Sequence, residues 1–400
     1  MRAFSGIVAI SAALVAGLAS AGGPLAVRGD GESFLWSTAS AIQYRTDDGP
    51  LSDSVTESQA RTRVQNMFAA WQDVPSSSIR YNRAGFITGV SGDVNTAGEF
   101  NTVEGSCGTG QQSPIVFDAD GAIFIALGVD ETSVIGFAGP CAVDGGAGLI
   151  VSGIAVMNGL FQDGQANPTP DLTTAEFNAA FIHEFGHFSG LDHSQVNVEC
   201  LFSCGAADLA GLPTMFPFLV TSQQGSLSTD DVAWISKFYP QPSGGSSFAA
   251  THGTITGTVL YSDGESHVQV ANVVARRVDT GDNQDRRIAA SAVSGYRFRL
   301  CTPNPITNPG NCDTFGVTDP GMIGFYEIPV PAGTYTIEVE ALSPEFIEGS
   351  GVGPLAVQRP LPGIAPAPIG PITVTAGQTT AGHDVVLIGT PPRFDQFEGP

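Results

Sequence analysis

One eleven-residue stretch, His183–His193, constrains this chain more than any other part of its sequence. It reads His-Glu-Phe-Gly-His-Phe-Ser-Gly-Leu-Asp-His. On a helix, His183 and His187 are four residues apart and project from one face, so both imidazoles can reach the same ion. Gly190 can end that helix in a sharp turn, because glycine tolerates backbone angles that other residues avoid. The stretch therefore predicts a helix, a turn and a three-histidine metal site completed by His193.

The same spacing predicts a catalytic metal rather than a structural one. Three histidine ligands leave one position of a tetrahedral zinc ion open for water, and zinc lowers the pKa of that water to about 7. Glu184 lies beside the ligands, where it would take the proton of the water and pass it to a leaving amine. We expect one catalytic Zn²⁺ and hydrolysis of amide bonds within a chain. The alternatives are a coincidental helix with surface histidines and a site that has lost its activity.

Composition limits the expected partners and location of the protein. The sequence has 16 Lys and Arg against 39 Asp and Glu, a formal net charge of -23. Neither nucleic acid nor an anionic membrane is therefore an expected partner. Residues 1–21 are typical of a signal peptide, with Arg2, an apolar run over 7–18 and a small-residue cleavage site over 19–21. That run is too short to span a bilayer, so we expect a secreted, extracellular protein, with the periplasm or cell surface as alternatives.

The six cysteines are expected to form disulfides in such an environment. The pairs closest in sequence are Cys200 with Cys204 and Cys301 with Cys312, which leaves Cys107 with Cys141. Six cysteines can also pair in other ways, so the sequence leaves the connectivity open.

The segment up to residue 240 predicts an α+β domain. Capping signals followed by apolar residues at helical spacing predict three helices, beginning near Ser54, Thr173 and Ser228. Short apolar runs between glycine-rich turns predict strands. These strand candidates are 34–44, 79–81, 114–117, 122–127, 134–138 and 149–157.

The C-terminal part of the chain predicts a different, all-β domain. Residues 241–252 have the composition of a linker. From 253 to 390, short runs typical of strands alternate with turns and no helical period appears, which predicts a β-sandwich followed by a loose tail over 391–400. The strand candidates are 254–260, 268–276, 295–299, 324–328, 334–340, 372–375 and 384–388.

Beyond its histidines, the chain resembles the matrixins, a family of metzincin zinc peptidases. Ser194 directly after the third histidine, the segment Pro213–Pro217 around Met215 and the helix opening Leu227–Asp231 are similar to the pattern of that family. The resemblance implies a zincin-type catalytic domain over 25–240, built from a mixed twisted sheet and three helices.

The resemblance also implies roles for individual residues. His183, His187 and His193 would be zinc ligands, with Glu184 as the general base and Met215 as the floor of the site. In the strand order of the family, the segment 134–138 would be an edge strand that pairs antiparallel with the substrate. The candidate substrate-strand residues are Ile135, Gly136, Phe137 and Ala138. Residues 216–225 would line an apolar pocket just beyond the cleaved bond.

A secreted zinc endopeptidase acting on proteins or peptides is the function that this resemblance implies. The alternatives are a secreted adhesion or scaffold protein whose metzincin domain binds zinc without cleaving, and a member of a different metzincin family, against which Ser194 argues. The sequence departs from the family at three points. The stretch between Ala21 and Trp36 leaves little room for a propeptide. No cysteine precedes Cys107, so the propeptide cysteine that caps the family's zinc is not expected. The catalytic segment has no further histidines, so the family's second, structural zinc is not expected either.

Residues 118–121, which read Asp-Ala-Asp-Gly, are a candidate calcium site. Carboxylate oxygens suit calcium, so Asp118 and Asp120 are candidate Ca²⁺ ligands. An Asp-Gly pair is also typical of a hairpin turn that binds no metal.

The C-terminal segment resembles the carboxypeptidase regulatory-like, or transthyretin-like, β-sandwich domains. The resemblance lies in Gly253–Val259, Gly324–Ile328 and Pro331–Ile337. Such domains support a neighbouring domain or bind a surface or partner, and one of these roles is expected here.

Overall fold

A computed structural model describes residues 23–201, 204–280, 287–298, 316–341 and 361–389. Its helices are α1 Glu57–Gln72, α2 Ala97–Glu104, α3 Ala122–Leu127, α4 Thr174–Phe188, α5 Ala206–Leu209, α6 Thr229–Phe238 and α7 Phe248–Thr251. Its strands are β1 Leu35–Trp36, β2 Ile42–Thr46, β3 Tyr81–Phe86, β4 Pro114–Asp118, β5 Gly136–Asp144, β6 Leu149–Asn158, β7 His252–Leu260, β8 Ala271–Arg277, β9 Ala289–Val293, β10 Phe325–Pro331, β11 Gly333–Ala341, β12 Ile369–Val374, β13 Thr379–Thr380 and β14 Val385–Val386. Helices together with several sheets fit the predicted α+β class.

The described residues form two units. The first consists of Phe34–Leu191 and Thr214–Leu227, and the second of residues 23–33, the described part of Asp192–Pro213 and the described residues from Ser228 onward. The predicted domain boundaries at 240 and 253 stay a prediction. The segment 241–252, predicted as a linker, contains α7 and the first residue of β7. The predicted signal peptide and the predicted tail lie outside the described residues.

The first unit contains a six-stranded sheet. β1, β6, β4, β2 and β3 are adjacent in that order and run parallel, and β5 pairs antiparallel with β6. A parallel sheet of this kind is normally buried, and β4 is buried along its whole length. The predicted strand over 34–44 is two strands, β1 and the start of β2.

The prediction of a strand over residues 122–127 was wrong, because the segment is helix α3. Its sequence Ala-Ile-Phe-Ile-Ala-Leu is continuously apolar, and periodicity does not separate a buried strand from a buried helix in so short a run. The side chain of Asp118, four residues before the segment, favours the helix. Asp118 Oδ2 accepts hydrogen bonds of 3.0 Å from the backbone N–H groups of Ile123 and Phe124, which caps the start of the helix.

The first helix begins two residues later than predicted. Thr56, and not Ser54, forms the capping box, with Gln59 as its partner. The Ser54 hydroxyl instead donates to the carbonyl of Asp163 at 2.8 Å. This bond joins residues 109 positions apart and engages the hydroxyl that the sequence pattern assigned to the cap.

Helix α4, which carries the histidine motif, is held at its start and along its length. The predicted capping box is confirmed: Thr173 N–H donates to the Glu176 carboxylate, and Glu176 N–H donates to the Thr173 hydroxyl. Phe68 of α1 stacks on Phe185 with 3.8 Å between ring centroids. Trp71 Nε1 also donates to the carbonyl of Ile182 at 2.8 Å. These contacts fix the helix that positions His183 and His187.

The second unit contains two four-stranded sheets. One has the order β10-β7-β13 with β14 also on β7, and the other has the order β12-β11-β8-β9. Helix α6 belongs to this unit, and Ser228 forms the predicted capping box before its first residue. The predicted strand over 295–299 was wrong for residues 295–297, which form a turn; Phe298 forms an isolated bridge to Val317, and residue 299 lies outside the described residues. The strand of this region, β9, precedes it and was missed because its small residues Ala-Ala-Ser-Ala-Val are not typical of strands.

Two of the predicted disulfides are confirmed. Cys107 is bonded to Cys141, and Cys200 to Cys204. The predicted pair Cys301 and Cys312 lies outside the described residues. None of the described helices has the length and apolar character needed to cross a membrane.

Candidate metal centre

The three histidines of the motif lie together. One ring nitrogen from each of His183, His187 and His193 falls within 4.8 Å of the others. Helix α4 supplies the first two, and Gly190, with φ +89°, confirms the predicted turn after the helix. Within the described ranges, this is the one group of three or more His, Cys, Asp or Glu side chains close enough to hold a metal ion.

Backbone carbonyls fix the protonation of two of the rings. His183 Nδ1 lies 2.8 Å from the carbonyl oxygen of Thr214, and His187 Nδ1 lies 2.9 Å from that of Leu191. A carbonyl oxygen can only accept a hydrogen bond, so Nδ1 carries the proton on each ring and donates it. Each Nε2 then presents a lone pair. No sequence pattern could have indicated these two carbonyls, because every residue has one.

The two unprotonated nitrogens lie close to one another. His183 Nε2 and His187 Nε2 are 3.1 Å apart, and two lone pairs at this distance repel each other unless a proton or a cation lies between them. Burial lowers the pKa of His183 to about 4, which disfavours the proton. A metal cation removes the repulsion, so these residues fit a bound metal. Neutral imidazoles suit several divalent transition metals, zinc among them.

Glu184 is adjacent to His183 in the sequence, and one oxygen of its carboxyl group lacks a hydrogen-bond partner among the described residues. The side chain is 2% exposed, and its Oε2 has no hydrogen-bond partner among them. Burial raises the pKa of this carboxyl to about 8. Buried polar atoms are normally paired, so the oxygen indicates a place for a water molecule or a polar group of a ligand.

Met215, which the resemblance implies as the floor of the site, packs closely on Gly186 of α4. A Cβ atom at Gly186 would lie 2.1 Å from Met215 Sδ and 2.8 Å from Trp71 Cζ2. Both side chains therefore touch the backbone of α4 between the two histidines. The available signal was a glycine inside a helix, where alanine would stabilise the helix by about 1 kcal/mol.

We expect Gly186→Ala to destabilise the protein by about 1–3 kcal/mol. Trp71 and Met215 are fully buried, so neither has free space into which it can move. The matched control is Gly98→Ala at an exposed position of α2, where no atom lies within 4 Å of the added Cβ. This control should stabilise by about 0.5–1 kcal/mol through helix propensity. Urea unfolding measures both changes, and a stabilising effect at Gly186 would contradict the close packing.

The candidate substrate-strand residues lie near this site. Gly136, Phe137 and Ala138 belong to β5, which pairs with β6 and with no other described strand. A Cβ at Gly136 would lie 3.0 Å from Glu184 Cγ. Substrate pairing along β5 stays a prediction.

A narrow cavity opens beside the site, with a volume of about 20 Å³, which is room for about one water molecule. Ile135, His183 and Glu184 line one side of it. Ala179 and Ala180 of α4 and Thr214 also line it. The remaining lining residues come from the segment 216–225, predicted to line a pocket, and they are Phe216, Pro217, Leu219 and Gln224.

The candidate calcium residues lie at the start of α3 rather than in a hairpin. Asp118 caps the helix, and Asp120 Oδ1 accepts from Ala122 N–H at 3.1 Å. Burial raises the pKa of Asp118 to about 6. Calcium binding by Asp118 and Asp120 stays a prediction.

Comparisons with known proteins add no identification. The sequence matches no known family profile, and no curated protein matches it significantly. The interpretation of the site therefore rests on its own residues and geometry.

Proposed function

We propose that this chain is a secreted, zinc-dependent endopeptidase with a matrixin-like catalytic domain of the metzincin type. His183, His187 and His193 would hold one catalytic zinc ion. The observation that carries the proposal is a pair of unprotonated imidazole nitrogens 3.1 Å apart beside the buried Glu184 carboxyl group, whose Oε2 has no hydrogen-bond partner among the described residues.

In the proposed reaction the metal acts as a Lewis acid and a side chain of the protein acts as the base. Bound zinc would supply Lewis acidity and lower the pKa of a water ligand. Glu184 would accept a proton at Oε2 and deliver it to the leaving amine. Because burial raises the pKa of Glu184, its carboxylate is a stronger base than an ordinary glutamate, and a nearby positive charge would bring that pKa back down.

Substrate binding is proposed to use β5 and the narrow cavity. Ile135, Gly136, Phe137 and Ala138 would offer backbone groups to an extended peptide, as in other cases of strand addition. The cavity of about 20 Å³ beside Glu184 would receive the side chain just beyond the cleaved bond. Its size and its apolar lining favour a small apolar residue at that position.

The family assignment and the location draw on further features. Ser194, Met215 and the opening of α6 support a matrixin-like domain, and the α+β fold is consistent with it. The two four-stranded sheets support a transthyretin-like sandwich after residue 252. The disulfides Cys107–Cys141 and Cys200–Cys204 support an extracellular location.

Zinc analysis combined with cleavage-site profiling tests this proposal. We expect the purified chain to bind about one zinc per chain and to cleave a peptide library at internal bonds. A chelator should abolish the cleavage, and added Zn²⁺ should restore it. Zinc binding without chelator-sensitive cleavage of any peptide would contradict the peptidase and favour the scaffold alternative.

A further inference from the structure

The segment that follows the third histidine packs on one face of strand β8. Asn272, Val274 and Arg276 alternate along this strand and therefore share a face. They contact three consecutive residues of the segment, in order. Asn272 Nδ2 donates to the carbonyl of Gln195 at 3.0 Å, Val274 packs with Val196, and Arg276 Nη1 donates to Asn197 Oδ1 at 2.5 Å.

Arg276 is itself held firmly in place. Its side chain is 7% exposed, and its Nε donates to Glu338 Oε2 of β11 at 2.8 Å. Its Nη2 lies 3.6 Å from Glu340 Oε1 on the same strand. Because the guanidinium group is planar and forms bonds in fixed directions, these contacts set the direction in which it meets Asn197.

Asn197 has a left-handed backbone conformation, which the bond from Arg276 helps to hold. Its φ is +61°, in the left-handed region that is unfavourable for residues other than glycine, although asparagine tolerates it better than most. The residue is fully buried, so the bond from Arg276 has little competition from solvent. This conformation turns the chain four residues after His193.

A second contact holds the residue next to His193. The Asp230 carboxyl group of α6 hydrogen-bonds the Ser194 side chain. Its Oδ1 also accepts from Ser291 N–H of β9 at 2.7 Å. Residues 194–197 are therefore attached at four consecutive positions to the sheet β11-β8-β9, directly or through α6. All of these residues belong to the second unit.

We propose that Arg276 and Asn272 are positioning residues of the metal centre, which hold residues 195–197 so that His193 stays in place as the third ligand. The sheet β11-β8-β9 would then help to hold the third ligand, which belongs to the same unit. The inference rests on the metal site of the proposed function, but it does not depend on peptide cleavage.

The variant Arg276→Met tests this inference, because it removes the guanidinium group and keeps an apolar side chain of similar length. The quantity to measure is the Zn²⁺ affinity of the full chain. The matched control is Arg277→Met, because Arg277 is adjacent on β8, points to the other face and pairs with Asp279. We expect Arg276→Met to weaken Zn²⁺ binding by about 10–100-fold, the range for outer partners of metal ligands. The control should bind as the wild type does. Competition with a chromophoric chelator measures both affinities.

The absorption spectrum of the Co²⁺-substituted chain separates positioning from general stability. We expect Arg276→Met to change its visible bands, which depend on the number and geometry of the ligands, and Arg277→Met to leave them unchanged. Wild-type Zn²⁺ affinity together with a wild-type Co²⁺ spectrum in Arg276→Met would overturn the inference.

Asn197→Gly tests the other side of the contact and decides the question if Arg276→Met does not fold. Glycine accepts the positive φ without strain but lacks the Oδ1 acceptor. We expect the same loss of affinity, and no further loss in the double variant, because each change removes the bond between Arg276 and Asn197 through which the segment is held. Additive losses, or an unchanged affinity in Asn197→Gly, would overturn the inference. A wild type that binds Zn²⁺ but cleaves no peptide would refute only the peptidase.

Discussion

Glu184→Gln is expected to reduce peptide hydrolysis by about 10²–10⁴-fold, the usual contribution of a general base. The amide keeps the shape of the side chain but cannot accept a proton. Zinc content should be unchanged, because the three ligands are histidines. The control is Glu176→Gln on the same helix, since glutamine also completes a capping box; this variant should keep its activity. Initial rates on a peptide found by cleavage-site profiling provide the measurement. Wild-type hydrolysis by Glu184→Gln would rule out the proposed base.

The same variant has an expected effect on stability in the metal-free chain. Burial raises the pKa of Glu184 to about 8, so the folded state holds its proton at pH values where the unfolded state has lost it. Stability then falls as pH rises from the ordinary glutamate pKa towards 8. Glu184→Gln lacks this titration, so its unfolding free energy should fall less over that interval.

His187→Ala is expected to weaken zinc binding by at least about 100-fold, the upper end of the range for outer partners of ligands. The change removes a ligand nitrogen and also the bond from Nδ1 to the carbonyl of Leu191. In the wild type, zinc should raise the melting temperature, because an ion that binds only the folded state stabilises it by RT ln(1 + [L]/Kd). His187→Ala should lose most of that increase at the same zinc concentration.

The matched control for this variant is His267→Ala, which removes a histidine outside the cluster. It should keep both the zinc content and the zinc-dependent rise in melting temperature. Equal zinc affinity in His187→Ala and the wild type would show that the histidine cluster is not the metal site. Metal analysis after dialysis against buffered zinc and thermal unfolding with and without zinc distinguish these outcomes.

The sequence predicted best those features that depend on neighbours in the chain. The capping boxes at Thr173 and Ser228, the turn at Gly190 and the disulfide between Cys200 and Cys204 are all set within a few residues. It failed at α3, where six apolar residues fit either a strand or a helix. The deciding contact there is the Asp118 carboxylate, which lies before the segment.

By itself, the sequence determined that three histidines and one glutamate could meet at one point. Their spacing follows from the helical repeat, and the turn follows from the backbone freedom of glycine. Only the tertiary structure decided which ring nitrogens face each other, because the carbonyls of Thr214 and Leu191 that orient them carry no side-chain signal. It also decided that the segment after His193 rests on strand β8. Contacts of this kind join residues nearly eighty positions apart, and no local pattern of apolar or polar residues encodes them.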